Sequence, residues 1–71
     1  MFKLNKKFQK EIFLKLILKY KGSFEASKIL NIPASSIRGY KNLYFKAVPQ
    51  NLLNRLIKLE LFSKEDLINN K

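Results

Sequence analysis

Apolar residues return along this chain three or four positions apart and seldom alternate. From Phe8 to Tyr20, the residues Phe8, Ile12, Phe13, Leu16, Ile17 and Tyr20 share one broad face, as in an amphipathic helix. Asn5 precedes it as a candidate N-cap. The pattern predicts a helix over about 6–20, ended by Lys21-Gly22 with Gly22 as the cap. Residues 1–5 read as a loose end. Leu14 and Leu18 lie off the main face, beside Lys7 and Glu11. They need a second cover: the C-terminal helices folding back, which is the expected arrangement, or another subunit.

The stretch from Gly22 to Asn42 reads as two short helices around a tight turn. Ser23 is the expected N-cap of the first, which runs from Phe24 to Leu30 with Ala26, Ile29 and Leu30 inward. Asn31 tolerates a left-handed backbone and ends it. Ile32 anchors the turn. Pro33, which has no N–H to leave unused, opens the second helix at Pro33 or Ala34. Ile37 and Tyr40 point inward. Ala34, Ser35, Ser36, Arg38, Gly39, Lys41 and Asn42 are left outward, a small, polar, positive face without an acid. This helix is expected to run on through Leu43, Tyr44 and Phe45 toward Lys46, either with Tyr40, Leu43 and Tyr44 sharing its core side or with Tyr44 or Phe45 partly exposed.

Val48-Pro49 is a break, because a residue before proline is pushed out of the helical region. A fourth helix is predicted from Pro49 to about Leu61. Leu52, Leu53, Leu56, Ile57 and Leu59 form its apolar side, and Asn54, Arg55 and Lys58 face water. Phe62 is expected to be buried at its exit. Ser63, followed by Lys64-Glu65-Asp66, is a capping signal for a last helix over 64–69. Leu67 and Ile68 are expected to touch the core. The fold class is therefore all-α: one domain over 1–71, a small bundle of four to five helices containing a helix-turn-helix over about 23–45.

Composition narrows the function. The 71 residues carry 15 Lys and Arg against 5 Asp and Glu, a net charge of +10. Residues 1–21 alone hold seven Lys and one Glu, so the positive field belongs mostly to the first two thirds. Such a balance calls for a polyanionic partner, nucleic acid before an anionic membrane surface. There is no Cys and no His, which removes disulfides, thiolate metal sites and imidazole catalysis. Glu11, Glu25 and Glu60 stand apart from one another beside lysines, and Glu65 and Asp66 belong to a cap. No catalytic site, metal, cofactor or small-molecule substrate is therefore expected. No secretory signal and no apolar run long enough to span a bilayer is present, and a cytoplasmic, nucleoid-associated protein is expected.

Ala26, Asn31, Ile32, Ser36, Ile37 and Arg38 follow the order A-x-x-x-x-G-I-x-x-x-[ST]-[LI]-R, with Asn31 in the glycine place. In this the chain resembles the tri-helical helix-turn-helix of Fis-type and resolvase-type DNA-binding proteins. Beyond it, Ile37, Arg38, Tyr40 and Lys41, then Val48, Pro49, Leu52 and Leu53, then Leu59, Leu61, Ser63, Glu65, Asp66 and Leu67 resemble small modules of archaeal and viral regulators and recombinases. The resemblance implies double-stranded DNA binding, as a transcription regulator or as the DNA-binding domain of a recombinase or replication protein. The second helix of the pair would lie in the major groove, N-terminal part nearest the bases.

Pro33, Ala34, Ser35 and Ser36 would then let the backbone come close, the serines donating to phosphates or bases. Arg38 would read a guanine edge and Asn42 an adenine. Gly39 would leave room for a phosphate or base. Lys21, Ser23 and Lys28 would hold phosphates on one flank, Lys41 and Lys46 on the other. Useful specificity takes two half-sites about 34 Å apart, so a homodimer is expected, through Leu14 and Leu18 or the C-terminal helices. Two other classes compete: a weakly specific architectural DNA binder, and a basic protein- or membrane-surface module using the Phe8–Tyr20 helix.

Overall fold

The computed structural model describes residues 3–69. Their order is α1 (Lys6–Lys19), α2 (Ser23–Leu30), α3 (Ala34–Lys41), α4 (Gln50–Lys58) and α5 (Lys64–Asn69), with no strand among them. The protein is a small all-α bundle. Ile12, Phe13 and Leu16 of α1 form its centre, packed with Ala26 and Leu30, Ile37, Val48, and Leu52, Leu53 and Leu56. Phe62 closes one end, its ring edge-on to Phe8 at 5.6 Å.

The caps explain where the helices begin. Asn5 Oδ1 accepts from the backbone N–H groups of Lys7 at 3.0 Å and Phe8 at 3.2 Å, satisfying donors that the first turn leaves free. At α5, Asp66 N–H donates to Ser63 Oγ and Ser63 N–H to Asp66 Oδ2, both at 3.1 Å, a reciprocal capping box. Pro33 and Pro49 are the N-caps of α3 and α4, with nearly identical extended backbones.

The helix ends share one device. Lys21, Asn31, Leu43 and Glu60 have φ of 59°, 56°, 64° and 62°, one just past each of the first four helices. In every case the next N–H reaches back five residues. Gly22 donates to Ile17 O at 2.9 Å, Ile32 to Ser27 O at 3.2 Å, Tyr44 to Gly39 O at 2.8 Å, and Leu61 to Leu56 O at 3.2 Å. This is the left-handed C-terminal closure that glycine usually supplies. Asn31 bears out the sequence reading.

The other three ends correct it. The left-handed residue closing α1 is Lys21, not Gly22. Gly22, at φ 136°, is instead the N-cap of α2, its carbonyl accepting from Ala26 N–H at 3.1 Å. Ser23 is thereby drawn into the helix as its first residue and caps nothing. Leu43 stops α3 at Lys41, so residues 42–46 form a turn, and Tyr44 and Phe45 are exposed, the second of the two placements expected for them. Glu60 stops α4 at Lys58, short of Leu61.

Burial brings further corrections. Leu4 belongs to the core, so the first residues are not all a loose end; Met1 and Phe2 lie outside the described residues. Ile29 is 52% exposed, because α2 presents only Ala26 and Leu30, four apart, to the core. Ile68 is exposed next to buried Leu67 for the same reason. Leu14 and Leu18 are exposed, Leu18 at 70%, and the C-terminal helices do not cover them.

Candidate nucleic-acid interface

Helix α3 is short and has one deeply inserted side chain. Ile37 is fully buried, and Tyr40 lies flat on Phe13 of α1, centroids 5.0 Å apart and rings within 14° of parallel. Those two contacts set the rotation of α3 about its axis. With that rotation fixed, Ser35, Arg38 and Asn42, at steps of three and four, fall together on the exposed side. No acid stands on α3. The Arg38 guanidinium has no hydrogen bond or ion pair among the described residues.

The remaining sequence-derived residues divide into four groups. Pro33 is exposed at the N-terminal end of α3, and Ala34, Ser36 and Lys41 are partly covered on the flanks of the stripe. Lys21 is exposed and Ser23 partly buried, both at the α1–α2 junction, off the stripe. Lys28 is already engaged: its Nζ lies 3.6 Å from Glu25 Oε1 and 4.5 Å from the centre of the Phe24 ring. Lys46 is exposed in the turn after α3.

Gly39 departs from expectation. It is buried, and the space beside it holds the Phe45 ring. A Cβ built on Gly39 would sit 2.5 Å from Phe45 Cε2 and 2.7 Å from Cδ2. The missing side chain makes room for the protein's own aromatic, not for a phosphate or base. Phe45 in turn leans on Tyr40, centroids 5.1 Å apart. Phe13, Tyr40 and Phe45 thus form a ladder running from the core to the surface.

The residue that sequence reasoning passed over is Gln9. It is 1% exposed, and its Nε2 donates to Tyr40 O at 3.0 Å and Phe45 O at 2.8 Å. One amide of α1 thereby holds both sides of the turn that follows α3. Its position was a signal: Gln9 is three residues before Ile12 and seven before Leu16, a polar side chain on the apolar face. Burial also raises the Tyr40 hydroxyl pKa above the usual 10.0 by desolvation.

Elsewhere the surface offers less chemistry. One hollow, about 590 Å³, opens between the end of α4 and the start of α5, where Lys15, Glu60, Lys64 and Asp66 alternate in sign. Among the described residues no group of acids could hold a metal ion, and no helix is long and apolar enough to cross a membrane. No family model, no curated protein and no solved structure matches this chain.

Proposed function

We propose that the protein binds double-stranded DNA by laying the exposed side of α3 in the major groove. Ser35, Arg38 and Asn42 face the base edges in this reading, and lysines on either side meet phosphates. The observation that carries it is the stripe itself: polar, free of acid, centred on an unpartnered guanidinium, on a helix whose opposite side is locked by Ile37 and Tyr40. Arginine and asparagine are the side chains best shaped to read guanine and adenine bidentately. The setting is that of a small transcription regulator, or of the DNA-binding part of a recombinase or replication protein. A single eight-residue helix of about 12 Å reads few base pairs, so a second copy is part of the proposal, with exposed Leu14 and Leu18 as the apolar surface available to join two chains.

The test is a duplex selected from a random pool, compared with a scrambled duplex at two salt concentrations by fluorescence anisotropy. Arg38→Ala is expected to lower the preference between the two by about 10-fold, within the range of one lost bidentate contact. Lys28→Ala is expected to weaken both duplexes equally and slightly. Equal binding of both duplexes by the unaltered protein, with one salt slope, would point to the weakly specific architectural binder instead.

A further inference from the structure

Outside the stripe, the fold gathers three lysines that are far apart in sequence. Lys3, ahead of α1, Lys6, its first residue, and Lys46, in the turn after α3, line one hollow of about 70 Å³ whose other walls are Leu4, Gln9 and Leu43. All three lysines are exposed, and none is ion-paired with an acid among the described residues. The three like charges border one concavity, and no acid among the described residues pairs with them. The free N–H groups of the α1 N-terminus do not make the site. Asn5 already takes those of Lys7 and Phe8, so the cationic side chains carry it.

The hollow is also fixed in place. Gln9, one of its walls, fastens Phe45 O and Tyr40 O to α1. Lys46 follows Phe45 directly. Leu43, another wall, is the left-handed residue just past α3. The cations therefore sit beyond the C-terminal end of the proposed reading helix, at a set distance from it.

We infer that Lys3, Lys6 and Lys46 form a phosphate site that grips the DNA backbone just past the end of α3. The inference rests on the duplex-binding reading above and extends it to residues at the other end of the chain. It gives α1 a part in binding as well as in the core.

Two measurements test it separately from that reading. The first is a titration of the ¹⁵N-labelled protein with inorganic phosphate, against chloride at matched ionic strength. The Gln9 side-chain amide and the Leu43 and Lys46 backbone amides are expected to shift together and saturate. The combined Lys3→Gln, Lys6→Gln, Lys46→Gln variant is expected to lose that response; as the three side chains are exposed, the core is unaltered. The second is the slope of log affinity for a duplex against log salt concentration. The same variant is expected to lower it by about 0.9, the release accompanying one neutralised phosphate. A control with Lys15→Gln, Lys58→Gln and Lys64→Gln is expected to lower it much less. Phosphate shifts scattered over all lysine-rich segments, or equal slopes for variant and control, would overturn the site while leaving duplex binding intact. A saturating local phosphate response with no duplex binding would overturn the DNA reading and keep the anion site.

Discussion

Arg55 of α4 donates from Nη1 to the carbonyl oxygen of Leu30 at 2.6 Å, and Leu30 is the last residue of α2. A helix leaves its final carbonyls without partners, and this one receives a charged donor from a helix 25 residues further on. The contact ties α4 to α2 immediately before the Asn31 turn, and so helps set where α3 starts. The protein's two arginines thus divide their work. Arg55 supports the bundle and Arg38 is left free. Arg55→Ala is expected to cost about 1 kcal/mol, below the usual range for a charged hydrogen bond because the side chain is exposed. That is a fall in melting temperature of about 4–8 °C. Arg38→Ala is expected to change stability by no more than about 0.5 kcal/mol. Urea unfolding of both variants decides the matter, and equal losses would contradict this division.

Gly39 and Phe45 make a pair whose energies should not add. Alanine is worth roughly 1 kcal/mol more than glycine inside a helix, yet at position 39 its Cβ meets the Phe45 ring. Gly39→Ala alone is therefore expected to bring no gain, because the ring must leave and abandon Tyr40. In a Phe45→Ala background the same change is expected to stabilise by about 1 kcal/mol. A double-mutant cycle measures the coupling; independent effects would show that the ring does not occupy that space in solution.

Gln9→Leu keeps the volume and removes the amide. The carbonyl oxygen of Phe45 then loses its donor, while that of Tyr40 still accepts from Leu43 N–H at 3.3 Å. One unsatisfied buried acceptor costs about 1–3 kcal/mol, so a loss of about 1–2 kcal/mol is expected at this partly buried site. Hydrogen exchange at Tyr44 and Phe45, whose N–H groups both bond to Gly39 O, is expected to accelerate more than exchange within α4. Uniform acceleration would mean that Gln9 supports the whole fold rather than this turn.

Tyr40 makes stability fall at high pH. Desolvation raises its pKa in the folded chain above the unfolded value of 10.0. Above that pH the unfolded chain ionises first, binds fewer protons than the folded one, and is favoured. The contribution is intact below pH of about 10 and declines as pH rises from there toward the folded pKa. Tyr40→Phe removes this decline, while the rest of the chain is common to both proteins. The measurement is the difference in alkaline unfolding midpoints, and no difference would refute the assignment.

Some features were legible because they are local. Period-3.6 spacing from Phe8 to Tyr20, the side-chain oxygens of Asn5 and Ser63, and the tolerance of Asn31 for positive φ each act within four or five residues. Each placed its element correctly. Helix ends were misread where the closing residue was Lys21, Leu43 or Glu60. None of these side chains favours a left-handed backbone, so no local preference announces the stop; packing of the next segment imposes it. Ile29, Ile68, Leu14 and Leu18 show a related blind spot. Apolar identity says that a side chain prefers cover, and neighbouring elements decide whether cover exists.

By itself, then, the sequence determined that the chain is helical, where three of its helices start, that Asn31 bends it, and that a cationic, acid-free segment follows the bend. These depend on backbone preferences and charge, which are properties of single residues and their near neighbours. Only the tertiary structure decided that Gly39 houses Phe45, that Gln9 clamps the turn after α3, that Arg55 is occupied while Arg38 is free, and that Lys3 and Lys6 share a hollow with Lys46. Each of these joins side chains distant along the chain or turns on the room that packing leaves. Their energies exist only once the hydrophobic core has brought the partners together.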